Sequence, residues 1–414
     1  MMYALGIAAF ALCILASIAW HECGHMWAAQ ATGMKVRRFF VGFGPTVWST
    51  RGKKGPQGDD GIEYGVKALP LGGFCDIAGM TLLDELKTPV EQQKAMYKQA
   101  AWKRLFVLFA GPGMNFILGA LLIYGVAVTA GLPSTTATPR AAVAATGCVA
   151  DATTKPTKEQ PSTPVGECRP SPAAQAGLVR GDVIASVNGT AVDADTVFDA
   201  LQNSTGAITL GIERDGQTRT VVIDPVTSKK WRPSADGKDL VEVSGPTIGI
   251  SVGTLGVTEH YNPITAIGGT AAFTLDLGHK TIVAIGQLPQ KVPALIDAIK
   301  GEERGLDTPQ SLVGASMIGG EVAERNMWSV FFLLLAGLNL MLGLINLLPV
   351  PPFDGGHMAV VIFEKLRDLV TGRKGGPVDY MKLAPLTYVV LALAGGYMLL
   401  VLTADIVNPI KLFN

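Results

Sequence analysis

Four stretches of the chain contain no Asp, Glu, Lys or Arg: residues 3–21, 105–132, 326–353 and 383–404. A helix needs about 20 mostly apolar residues to cross a hydrocarbon layer of about 30 Å. Each stretch therefore predicts a spanning helix. Read alone, the first could be a secretory signal peptide. It has no basic leading region, however, and the cluster His21-Glu22-Cys23-Gly24-His25 stands where a small-residue cleavage site belongs. A retained helix is expected.

Between the first two stretches the pattern changes. Residues 41–74, "VGFGPTVWSTRG…GIEYGVKALPLGGF", show short alternation, β-branched and aromatic residues, and frequent Gly and Pro. That predicts β-hairpins. The piece "KALPLGGF" is apolar and broken by Gly and Pro, so it either dips back into the membrane beside protein or forms a surface hairpin. Residues 132–164 are rich in Thr, Pro and Ala and read as a linker. Residues 165–255 alternate again, with turns at Asn188-Gly189 and Asp215-Gly216, and predict a small β-rich domain. Residues 256–325 mix apolar turns with Asp276, His279, Lys280 and Lys291. They predict amphipathic helices at the membrane surface, a fifth spanning helix being the alternative.

Composition agrees with a membrane protein. Only 16% of the 414 residues are charged, against about 25% in ordinary soluble domains. Mean hydropathy is +0.33. Lys+Arg and Asp+Glu balance at 34 each, so no bulk nucleic-acid binding is expected. Charge asymmetry sets the orientation. Residues 29–104 hold twelve Lys/Arg against seven Asp/Glu, and the short loop 364–382 holds five Lys/Arg. The rule that basic loops stay inside places both in the cytoplasm. The N-terminus, the large middle region and the C-terminus then lie outside. Of the five cysteines, Cys148 and Cys168 share the outer region and are able to pair there, whereas Cys75 stays reduced in the cytoplasm.

The chemistry is concentrated in HExxH. His21 and His25 are four apart, on one helix face and about 6 Å apart along the axis. Two imidazoles at that spacing grip one tetrahedral zinc, and Glu22 is placed to accept a proton from an attacking water. Two core histidines paired with Glu22 are the structural alternative. Ionisable side chains inside a membrane are rare and usually functional, which favours the metal. Catalytic zinc has three protein ligands. His260 and His279 lie on the wrong side in this topology, which leaves "NLLPVPPFDGGHM", residues 346–358. Asp354 and His357 are both capable there. Asp354 follows the Pro-Pro-Phe break directly, and a carboxylate makes the site less positive than a third imidazole.

HECGH in a first helix, "LPLGGF" at 69–74, "FAGPGMNF" at 109–116 and "NLLPVPPFDGG" at 346–356 resemble the site-2 protease family of intramembrane zinc metalloproteases. "SPAAQAGLVRGDVIASVNG" at 171–189 resembles a bacterial PDZ domain. A single such domain, four spans and "SLVGASMIGG" at 311–320 resemble, within that family, the actinobacterial regulators of intramembrane proteolysis. Phe353 stands where many members have Leu, an apolar-for-apolar change. The resemblance implies that His21, His25 and Asp354 hold zinc and that Glu22 is the general base. It also gives Asn346 a substrate-positioning or oxyanion role, although a helix–helix hydrogen bond would explain that residue too. Asn115, with Gly111 and Gly113, reads as close helix packing.

The expected protein is thus an α-helical polytopic membrane protein. It has four transmembrane helices, a membrane-associated β-hairpin region and an extracytoplasmic β-rich PDZ domain, in a bacterial plasma membrane. Residues 1–131 would carry helices one and two, and 326–414 helices three and four. The resemblance implies a zinc endopeptidase that cuts in or near transmembrane segments after a first extracytoplasmic cut by a site-1 protease. Its partners would be the lipid bilayer and single-pass substrates such as anti-sigma factors. A PDZ-containing scaffold with a non-catalytic metal site leaves Glu22 unexplained, and a zinc transporter leaves the outer domain unexplained.

Overall fold

The computed structural model describes residues 1–53, 60–81, 83–152, 164–233, 240–302, 304–305, 307–373 and 375–412. Two compact units emerge, Met1–Ala130 with Tyr261–Asn414, and Gly131–His260.

The first unit opens with α1 (Met2–Ala31), an unbroken helix of 30 residues. The charge-free run ends at residue 21, and the helix carries HECGH as expected and goes six residues beyond it. The helix continues because "HECGHMWAAQA" contains no proline and buries His21, Gly24, His25, Met26, Ala28 and Ala29. The strands β1 (Val36–Arg51) and β2 (Glu63–Ile77) form the expected antiparallel hairpin, with several bulges in register. Phe40 and Phe74 stack with ring centres 5.6 Å apart, and the Lys67 ammonium lies 5.0 Å from the Phe40 ring centre. Phe43, Val47, Trp48, Val66 and Leu69 are left exposed on the same hairpin. A short α2 (Pro89–Lys94) starts on a capping box between Thr88 and Glu91. It leads to α3 (Ala101–Thr129), which runs through Pro112.

The second unit has its own core. Its elements are β3 (Leu132–Pro133), β4 (Arg140–Thr146), β5 (Val149–Ala152), β6 (Pro164–Arg169), α4 (Pro172–Gln175), β7 (Val183–Val187), β8 (Thr190–Ala191), α5 (Val197–Gln202), β9 (Ile208–Arg214), β10 (Gln217–Ile223), β11 (Val226–Pro233), β12 (Leu240–Thr247), β13 (Ile250–Leu255) and β14 (Thr258–Glu259). Strands β10, β9, β7, β4 and β13 lie side by side, with β8 paired to β7, as one antiparallel sheet. Leu210, Ile212, Ile184, Val143 and Ala173 are sealed in its core. The β4 strand falls in the segment expected to be a linker. "RAAVAAT" has little alternation and weak strand propensity, so only its pairing with β7 and β13 makes it a strand. Residues 153–163 of that segment lie outside the described residues. Cys148 and Cys168 are disulfide-bonded, as their shared position suggested.

The chain then returns to the first unit through α6 (Thr265–Gln287), α7 (Val292–Ile299), α8 (Leu312–Glu324), α9 (Trp328–Asn346), α10 (Asp354–Thr371) and α11 (Ala384–Val407). Among the described residues, four helices are long and apolar enough to cross a membrane: α1, α3, α9 and α11. The protein is a multi-pass membrane protein with these four candidate spans, and α6 is not among them. Two details differ from expectation. The third span stops at Asn346, seven residues before the apolar run ends, because "LLPVPPF" cannot continue a helix. The basic loop expected at 364–382 is helical through Thr371, with Glu364 and Val361 on the buried face of α10.

Buried polar contacts fix how the helices meet. The Asn339 amide of α9 donates to the Ser17 hydroxyl of α1 at 3.0 Å. Arg104 of α3 and Glu364 of α10 form an ion pair at 2.6 Å, with side chains 8% and 10% exposed.

Candidate metal centre

One helix supplies the first two side chains. His21 and His25 of α1 are buried at 7% and 8% exposure, with ring centres 4.9 Å apart and facing Nε2 atoms 3.2 Å apart. Asp354, the first residue of α10, brings Oδ2 to 3.2 Å from His21 Nε2 and 3.3 Å from His25 Nε2. The α9–α10 break therefore folds back so that a carboxylate meets two imidazoles. Each edge of this triangle is close to the ~3.3 Å that separates ligand atoms around a tetrahedral ion with bonds of about 2.0–2.1 Å. With both Nε2 atoms unprotonated, two lone pairs and a carboxylate oxygen converge on one spot, an arrangement suited to a cation between them. The donor set fits zinc, with two nitrogens and one oxygen from protein and one position left open.

Among the described residues these three form the cluster able to hold a metal. His357, the other candidate on α10, points elsewhere. Its Nδ1 lies 3.1 Å from the Tyr380 hydroxyl, and the two rings stack with centres 5.4 Å apart.

Glu22 and Asn346 line the same cavity as the three cluster residues, a space of about 200 Å³. The five residues to which the resemblance gave a ligand or catalytic role thus line one cavity. The β2 strand forms another wall of it with Gly73, Phe74 and Cys75. A Cβ at Gly73 would stand 3.3 Å from Glu22 Cγ and 3.1 Å from the Phe40 carbonyl, so a larger residue there would have to push these neighbours back by a few tenths of an ångström. Ile77, Met96 and Val107 give the rest an apolar lining.

Sequence reasoning undervalued α3. His25 Nδ1 lies 2.8 Å from the Val107 carbonyl oxygen, and His21 Nδ1 lies 3.1 Å from the Asn115 amide. Between these contacts, Gly111 faces both imidazoles, and a Cβ there would collide with the Nε2 atoms of His25 and His21. Positions 107, 111 and 115 are successive turns of one helix face. That spacing is the signal that could have linked Asn115 to the histidines. Pro112 also has no N–H to offer the Leu108 carbonyl one turn back, at the wall of the cavity.

The sequence profile described as peptidase family M50 matches residues 9–389. The chain belongs to peptidase family M50. The zinc metalloprotease Rip1 of Mycolicibacterium smegmatis is 49% identical over 420 residues, covering 100% of both chains. The Rip1 protein of Mycobacterium tuberculosis is 48% identical over 419 residues, again with 100% of each covered. The metalloprotease MmpA of Caulobacter vibrioides is 28% identical over 389 residues, 86% of this chain and 85% of its own. In this M50 peptidase, both HECGH and the Asp354 segment lie within the matched span.

Proposed function

We propose that this M50 peptidase is a Rip1-type intramembrane zinc endopeptidase. It hydrolyses peptide bonds in or near the transmembrane segments of other membrane proteins. The observation that carries the reading is the triangle of His21, His25 and Asp354, with Glu22 beside it in one cavity among candidate spans. Zinc held by those three residues supplies a Lewis acid that polarises the scissile carbonyl and makes water more acidic.

The chain's own groups do the rest. Glu22 takes the proton of the attacking water and returns it to the departing amine. Asn346, at the end of α9, hydrogen-bonds the substrate carbonyl as negative charge builds on its oxygen. A substrate helix hides its carbonyls in its own hydrogen bonds, so the segment to be cut must first become extended. The β2 strand beside Glu22 offers a backbone edge on which an extended segment is able to pair. The exposed Phe43, Val47, Trp48 and Leu69 suit that hairpin to contact with lipid.

The finer assignments follow from the same reading. The enzyme lies in a bacterial plasma membrane with its N-terminus and residues 165–255 outside and its centre near the cytoplasmic face. Charge asymmetry between the loops supports this orientation. The outer domain is of PDZ type and screens substrates after a site-1 protease has trimmed them. The helices between that domain and α9 lie at the outer interface. Substrates are single-pass proteins such as anti-sigma factors.

The test uses purified full-length protein and a single-pass model substrate in detergent or liposomes. Cleavage should occur with wild type, stop with a zinc chelator and stop with Glu22→Ala. Substantial cleavage by Glu22→Ala would overturn the assigned chemistry.

A further inference from the structure

We infer that Asn115 is a positioning residue of the metal centre: with its amide turned a half-turn from the placed orientation, its oxygen accepts the Nδ1–H of His21 and thereby keeps the Nε2 lone pair aimed at His25 and Asp354. The inference rests on the metal-centre reading above and deepens it.

The two histidines are held differently. His25 Nδ1 faces the Val107 carbonyl at 2.8 Å. A carbonyl only accepts, so Nδ1 of His25 carries the hydrogen and its Nε2 is free to bind a metal. His21 Nδ1 instead faces the Asn115 amide at 3.1 Å, with Nδ2 placed towards the ring and Oδ1 turned away; an amide has a donor end and an acceptor end, and a half-turn exchanges them. If the NH2 group faced the ring, Nδ1 would accept, and the ring hydrogen would sit on Nε2. It would then project into the 3.2 Å gaps that separate this atom from His25 Nε2 and Asp354 Oδ2. If the oxygen faces the ring, Nδ1 donates, and Nε2 offers a lone pair to the same spot. The two arrangements differ by a half-turn of the amide about Cβ–Cγ.

Burial does not choose between them. Asn115 is 1% exposed, and its Oδ1, turned away from His21 as placed, has no hydrogen-bond partner in the structure. Either rotation leaves one amide end unpaired. The choice is made by the ring, since only the accepting oxygen leaves His21 Nε2 able to ligate. A metal-binding histidine commonly gives its other N–H to an oxygen that fixes the tautomer, and losing that oxygen weakens metal binding about 10–100-fold. Asn115 thus does by side chain what Val107 does by main chain, two turns apart on α3.

A role in helix packing alone would make a different prediction. Asn115→Leu and Asn115→Ala remove the acceptor, whereas Asn115→Asp keeps an acceptor and removes every donor. Zinc affinity of the full-length protein in detergent is measured by competition with a chromophoric chelator, beside His21→Ala. Thermal unfolding of the metal-free proteins serves as the control for packing. The Leu and Ala variants should bind zinc about 10–100-fold more weakly. Asn115→Asp should bind at least as tightly as wild type. Wild-type affinity in both Leu and Ala variants would overturn the inference, as would an Asp variant as weak as they are. If His21→Ala keeps wild-type affinity, the metal-centre reading itself falls, and that outcome is separate from any result at position 115.

Discussion

Gly111 of α3 lies directly against the His25 ring of α1, with no room for a Cβ before the imidazole Nε2. The closeness of the two helices and the direction of the ring are therefore one constraint. Gly111→Ala should force them apart and carry His25 away from Asp354. A shift of about 1 Å at a catalytic centre costs on the order of 100-fold in rate. Metal analysis and cleavage of a model substrate should show zinc and activity lost together.

Asp354 and His357 sit one turn apart on α10 and face different partners. Asp354→Ala removes a corner of the triangle and should lose most bound zinc and most activity. His357→Ala breaks only the contact with Tyr380 and should retain the metal with a milder loss of rate. Zinc content of the two purified variants checks this. The reverse pattern would mean that the third ligand is wrongly assigned.

The Arg104–Glu364 pair joins α3 to the helix that starts with Asp354. Removing one partner strands a buried charge, at a cost of about 3–5 kcal/mol. Arg104→Met and Glu364→Leu should each lower the melting temperature in detergent sharply. The double variant should recover much of the loss, because an apolar pair of similar volume leaves no unpaired charge.

In the unit formed by Gly131–His260, Arg214 reaches Asp182 at 2.6 Å, and the Asp182 side chain is fully buried. The hydrogen bond from the guanidinium holds the Asp182 carboxyl below the ordinary carboxylate range. An unfolded Asp titrates near 3.9, about the usual value. The stabilisation is therefore complete above about pH 4 and fades as pH falls towards the lower folded value. Residues 131–260, produced alone on the strength of their separate core, should lose denaturant resistance on acidification. Asp182→Asn should flatten that dependence and cost about 2–3 kcal/mol at pH 7, less than a fully buried pair because Arg214 is partly exposed. Urea midpoints at pH 7 and pH 3 give the comparison.

His21, Glu22 and His25 were legible in the sequence because a helix converts a spacing of four into one face, and no tertiary information is needed. Asp354 was legible for a related reason, since Pro-Pro-Phe stops a helix wherever it stands. Asn115 was not, because a lone amide in an apolar span reads equally well as packing, and only α1 lying alongside shows what it faces. The β4 strand was hidden because alanine carries little strand preference and its neighbours on the sheet come from β7 and β13. The α10 helix was hidden by its charges: Glu364 reads as loop surface until Arg104, 260 positions away in sequence, is found beside it.

The cluster draws His21 and His25 from the opening residues of the chain and Asp354 from near its close. During biosynthesis, the first two are made long before the third. A nascent or prematurely terminated chain that ends before α10 holds only two ligands, too few for a catalytic zinc site. A centre built on these three ligands is therefore assembled only once α10 has been made. A copy that stops short of α10 is inert towards its neighbours in the membrane.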